Sequence, residues 1–256
     1  MNDSRLRSGD TSSLPTYQDS EDLIRAEIFS MERLEQHAHS LAEAQIVATA
    51  RGSSRGLEAR LRENDITLRA AYRSIAQAIQ DERMITPAAE WLIDNSHVVA
   101  EQIREIRASL PPGYYRQLPK LADGPFATYP RVFGIAWAFV AHTDSRFDPA
   151  TLVRFVAAYQ KVQPLTIGEL WAIAITIRIV LVENLRRLAE HIMLSRAAYS
   201  EANTVADLLI GVNGLTADSS ALKPYETAPL NEGFIVQLIQ RLREQDPNTM
   251  PAVSWL

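Results

Sequence analysis

The chain has 256 residues, is 46% hydrophobic and 22% charged, and contains no cysteine. That is enough apolar material for a sizeable core, and it excludes a disulfide scaffold and any thiolate-held zinc or iron–sulfur site. With 26 basic against 31 acidic residues the net charge is −5, which weighs against nucleic acid as a partner.

Residues 1–19 are rich in Ser, Asp and Thr and read as a disordered tail without the apolar stretch of a secretory signal. Glu21 and Asp22 place acids where a helix start favours them, and Ile24, Ile28, Met31, Leu34, Ala38 and Leu41 recur at helical steps. The run Arg51–Gly56, RGSSRG, breaks that pattern. A second helix carries Leu57, Leu61, Leu68, Ile75 and Ile79 on one face. Thr86-Pro87 is an N-cap followed by proline at the first helical position, and it opens a third helix through Trp91, Leu92, Val98, Val99, Ile103, Ile106 and Leu110. Pro111-Pro112-Gly113 stops it.

The segment Leu110–Phe133, LPPGYYRQLPKLADGPFATYPRVF, concentrates prolines and tyrosines between helices. Each X-Pro step biases the preceding residue to extended backbone, and Tyr114, Tyr115, Phe126, Tyr129, Leu118 and Leu121 supply surface to cover a helical face. The segment therefore reads as an ordered strap packed flat on helices. A second reading makes it a ligand loop, in which Tyr114, Tyr115, Arg116, Lys120 and Arg131 offer rings and cations to a sugar or a phosphate.

Pro130 starts the next helix, to about Thr143, and Asp148-Pro149 starts another, to about Gln163. Thr166 and Glu169 form a capping box that opens the longest apolar helix, reaching Tyr199, with a further helix over Glu201–Ile210. Gly211–Asn231 reads as a loop, and Asn231 caps a last amphipathic helix to about Gln245. The run Val132–Ala141 is about half of the ~20 apolar residues a membrane-spanning helix needs. Leu170–Val182 is interrupted by Arg178, so it reads as a buried helix. No alternating strand pattern occurs. The expected class is all-α, a bundle of seven to eight helices with a long Pro/Tyr-rich ordered loop, organised as a single module over 20–247. Trp255 and Leu256 end the sequence on apolar residues, and 248–256 reads as the start of a connection to further domains.

The sequence has no G-x-G-x-x-G, P-loop, H-E-x-x-H or D-x-D. His37 and His39 lie on different helix faces, and His97, His142 and His191 stand apart. The pairs Glu90/Asp94 and Glu101/Glu105 share a helix with Arg104 and Arg107, which favours surface pairing over acid–base chemistry. Arg178, set in an apolar run, requires a partner, because an unpaired buried charge costs several kcal/mol. Glu169, Glu183 or an acid of the third helix are the candidates. The residues suggest no catalytic group and no metal ligand set.

From Leu57 to Pro247 the sequence resembles the N-terminal region of the cyclic β-1,2-glucan synthases. The resemblance is carried by AAEWLIDN, LPPGYYRQLPKLADGP and QPLTIGELWA in that order, with RFVAAYQKVQ and NEGFIVQLIQRLREQDP around them. It implies a bacterial inner-membrane glycosyltransferase that polymerises glucose from UDP-glucose with a divalent metal, its chemistry lying in other domains. This segment would then be a non-catalytic, cytoplasmic helical module without cofactor of its own, whose partners are downstream domains of the same synthase. Two other readings stand beside it: a module that itself binds carbohydrate or UDP-glucose, and a free-standing helical adaptor.

Overall fold

The computed structural model describes residues 22–48, 56–81, 83, 85–109, 111, 113–211, 219–226 and 230–245. The expected tail over 1–19, the break at Arg51–Arg55, Leu110 and the connection over 248–256 lie outside the described residues. Within them the secondary structure is helical, with nine α-helices, one 3₁₀ helix and two isolated β-bridges. The α-helices are α1 (Met31–Ala44), α2 (Leu57–Gln80), α3 (Pro87–Asp94), α4 (Ser96–Ser109), α5 (Tyr114–Gln117), α6 (Arg131–His142), α7 (Pro149–Gln160), α8 (Ile167–Ile210) and α9 (Glu232–Gln245), and the 3₁₀ helix is Ser219–Tyr225. The all-α class read from the sequence is what the chain adopts.

Three helix boundaries differ from the sequence reading. The first helix begins at Met31, where Ser30 is the N-cap and its hydroxyl accepts from the Arg33 amide at 3.4 Å. The stretch before it is extended because its backbone groups are engaged elsewhere. The Ala26 and Phe29 amides donate to the carbonyls of Ala141 and His142 at 3.0 and 3.1 Å, and the Ile24 amide donates to the Asn184 side chain at 2.7 Å. These bonds satisfy carbonyls that the end of α6 would otherwise leave open. The third helix is divided at Asn95 (φ −92°, ψ 4°), whose side-chain amide takes the Trp91 carbonyl at 2.8 Å in competition with the helical ladder. Conversely, α8 runs unbroken for 44 residues past Tyr199, since no glycine or proline interrupts it between Glu169 and Ile210.

The chain forms two compact units, one of residues 1–62 with 102–184, the other of residues 63–101 with 185–256. In the first, α6 is buried over its first eleven residues and its Phe139 ring lies 5.6 Å from that of Phe155 in α7. Helix α1 packs on α7 and α6, turning Leu34, Ala38 and Ala42 inward. In the second, the inner face of α9 (Phe234, Leu238, Leu242) packs with Ala198, Ala202, Val205 and Ala206 of α8 and with Leu222. The Tyr225 ring stacks on Phe234 at 4.8 Å.

Candidate functional site: two buried ion pairs, a strap and an apolar face

The capping box at Thr166 does more than start α8. The Glu169 carboxylate accepts from the Thr166 amide at 2.9 Å and from its hydroxyl at 3.0 Å, while the Thr166 hydroxyl accepts from the Glu169 amide at 3.2 Å. The same carboxylate takes both Nε and Nη2 of Arg131 at 2.9 and 2.8 Å. Arg131 further donates to Gln163 Oε1 at 2.8 Å and to the Pro164 carbonyl at 3.2 Å. Glu169 is completely buried and Arg131 nearly so. Burial opposes the Arg131 charge, but the hydrogen bonds and charge of Glu169 outweigh it and hold the guanidinium above its ordinary pKa. Beside it, Gln163 donates to the Ala42 and Gln45 carbonyls at 2.7 and 2.8 Å, and Tyr159 donates to Gln45 Oε1 at 2.7 Å. Burial pushes the Tyr159 hydroxyl up to about 12.

A second bidentate pair joins Arg60 of α2 to Glu183 of α8 at 2.9 and 2.8 Å. The third arm of Arg60 donates to the Tyr129 hydroxyl at 3.1 Å, and its guanidinium lies 5.6 Å from the Phe133 ring centre. Glu183 is therefore engaged by Arg60 and Glu169 by Arg131. Arg178 turns to α4 instead, with Nη2 2.5 Å from Glu105 and 2.7 Å from Gln102, a half-exposed pair at the surface. Arg60 escaped the sequence reading, although its place three residues after the buried Leu57 puts it on the inward edge of α2.

The strap is held down along its length. Gly113, at φ 76°, turns the chain into α5. The Tyr114 hydroxyl donates to the Gly168 carbonyl at 2.6 Å, and that of Tyr115 lies 3.0 Å from Thr176 Oγ1. Burial pushes the Tyr115 hydroxyl up to about 12. Beyond α5 the backbone closes on itself, with the Leu121 amide donating to Tyr129, Thr128 to Leu121 and Arg131 to Pro119 at 2.8–3.0 Å. It is tied to the stretch after α1 by Ala48 to Lys120 and Ala122 to Ile46, both 2.8 Å. The strap's C-terminal end is thus clamped by both ion pairs, through Tyr129 and Arg131. Of the five residues considered for ligands, Tyr115, Lys120 and Arg131 are buried, Tyr114 is half-buried and Arg116 is exposed. The structure brings Arg131 to Glu169, and it sets the Tyr114 and Tyr115 rings edge to face at 5.9 Å.

The least expected feature is a shallow groove of about 330 Å³ between α7 and the start of α8, lined by Leu152, Val153, Val156, Ala157, Gln160, Leu170, Ile173 and Ala174. Of its lining, Val153 (67% exposed) and Leu170 (38%) stand out into solvent, and Ile167 (74%) and Trp171 (76%) are exposed on the same first two turns of α8. Single exposed apolar side chains are ordinary, whereas several close together in sequence beside an apolar groove are less so. The sequence holds one clue to it. Ile167, Trp171, Ala174 and Arg178 follow one another at helical steps of four, three and four, so the arginine that interrupts the apolar run also marks its outward side. The run is apolar all round, which conceals that side from periodicity alone.

No protein-family model matches the chain. Among curated proteins, the cyclic beta-(1,2)-glucan synthase NdvB of Rhizobium meliloti (strain 1021) is 38% identical over 238 residues. Those residues are 93% of this chain but 8% of the relative, so the chain spans a small part of that protein's length. The similarity agrees with the resemblance carried by the quoted motifs: over nearly all of its length, the chain is similar to one segment of a cyclic β-(1,2)-glucan synthase.

Proposed function

We propose that this chain is the N-terminal, non-catalytic helical module of a cyclic β-1,2-glucan synthase, lying on the cytoplasmic side of a bacterial inner membrane and serving to assemble or dock the rest of the enzyme. The observation that carries this reading is the 38% identity over 93% of the chain to 8% of a named synthase. The arrangement of the first unit supports a docking role. Two buried carboxylates are spent on internal arginine pairs, its tyrosine-rich strap is bonded down, and α7 with the start of α8 offers an apolar groove. Among the described residues no group of three His, Asp or Glu side chains is placed to hold a metal ion. No described helix is long and apolar enough to cross a membrane. In this reading UDP-glucose and the divalent metal are handled by other parts of the polypeptide.

The experiment is an in-frame deletion of residues 57–247 from the chromosomal gene, followed by measurement of cyclic glucan and of the synthase in membranes by immunoblot. Loss of glucan, with the remaining synthase degraded or unassembled, is the expected result. Unchanged glucan and unchanged synthase would overturn the proposal.

A further inference from the structure

We infer that the α7/α8 groove is the seat of an apolar-faced helix belonging to the same synthase polypeptide outside this segment. The inference rests on the proposed function and adds the place of contact and the chemistry of its occupant.

The groove's shape argues for a helix. Its lining on α7, at positions 152, 153, 156, 157 and 160, is one helical stripe, and 170, 173 and 174 form the facing stripe on α8. Two helices whose facing stripes leave a trough between them offer ridges and grooves to a third. Ala157 and Ala174, both exposed, have short side chains that let an incoming helix approach the floor closely. The bulkier Val153 and Leu170 line the groove beside them, and Trp171 is exposed one position further along α8 from Leu170. Gln160 is the single polar liner. An occupant therefore needs an apolar stripe at i, i+3, i+4 and i+7, as in other helix-in-groove recognition.

The groove's size argues for a tethered partner. From residue 152 to 160 it follows α7 for about 12 Å, roughly two helical turns. Its eight lining residues are far fewer than the roughly 20–30 a side with which free proteins usually form a stable specific complex. A contact this small is occupied when its partner is held nearby by the chain, where effective concentrations reach roughly the millimolar range. The relative is about twelve times longer than the stretch matched here, since the match covers 8% of it. By the proposed function, the rest of such a polypeptide is tethered to this groove, whereas a second copy or an unrelated protein would have to bind from free solution.

The test places the photo-crosslinker p-benzoylphenylalanine at Trp171 in the full-length synthase in its own membranes, with exposed Gln36 of α1 as the position control. Linked peptides are identified by mass spectrometry. The expected product is a link within one polypeptide, from position 171 to a helical sequence with an apolar stripe outside residues 1–256, in several-fold greater yield than from position 36. It should be lost when Val153→Asp is added. A link to a second copy, to lipid or to a separate protein overturns the inference, as does a yield no greater than the control. If the deletion of 57–247 abolishes glucan while position 171 gives no such link, the groove assignment fails and the docking role stands. If the deletion has no effect, the docking role fails first.

Discussion

At the scale of single residues, the two kinds of ion pair in the first unit ought to behave differently. Arg131 and Glu169 are both taken out of water, so removing one leaves an uncompensated buried charge and costs about 3–5 kcal/mol. Arg178 and Glu105 are solvated, and such pairs contribute about 0–1 kcal/mol. Urea unfolding should accordingly show Glu169→Ala severely destabilised and Glu105→Ala close to the parent. His37 gives a second residue-level prediction. Burial, helped by the nearby His142, lowers its pKa to about 4. The Phe29 ring stacks on His142 at 4.0 Å and meets His37 edge-on at 5.5 Å. Because the unfolded chain binds that proton at the ordinary value near 6.5 and the folded chain resists it, this contribution to stability is complete above about pH 6.5. It is lost progressively as the pH falls toward 4. Unfolding free energies measured across that range should fall with acidification, and His37→Leu should flatten the fall. The carboxylates that engage buried arginines were legible as types but not as partners. The sequence shows that Arg178 must be satisfied, yet pairing is decided by which helices meet, and that is a property of the fold.

At the scale of elements, the helices were legible wherever local chemistry sets their limits. Thr86-Pro87, Asp148-Pro149 and the capping box at Thr166 start helices α3, α7 and α8 where their side chains satisfy open amides. Thr166→Ala should remove about 1 kcal/mol of stability through the cap alone, and more through the loosened Glu169 carboxylate. The limits that went unread are set by distant chain. The stretch before α1 is helical by pattern but extended in fact, because the end of α6 takes its amides. Gly134 shows the same dependence within α6. A methyl group there would stand 2.7 Å from the Gln45 side-chain amide, whose oxygen holds the Tyr159 hydroxyl. Alanine is the better helix former by about 1 kcal/mol, but displacing a buried hydrogen-bonded amide costs about 1–3 kcal/mol. Gly134→Ala should therefore come out destabilising in thermal unfolding, against its helix propensity.

At the scale of the whole molecule, the apolar face separates stability from function. Val153 and Trp171 contribute little to the core because they stand mostly in water, so Val153→Asp with Trp171→Ser should leave the unfolding free energy within about 0.5 kcal/mol of the parent. All-helical architecture was plain from the sequence, whereas this face was hidden within a run that looked uniformly buried. Ile24 is bonded through its amide to Asn184, 160 residues further along. During synthesis at 5–20 residues per second, Ile24 must wait roughly ten to thirty seconds for that partner to be made. Until then the Ile24 amide and side chain stay open to whatever else is near the ribosome, as those of Ala26 and Phe29 do until Ala141 and His142 are made. The early residues of this protein are consequently the ones most in need of protection while it is being born.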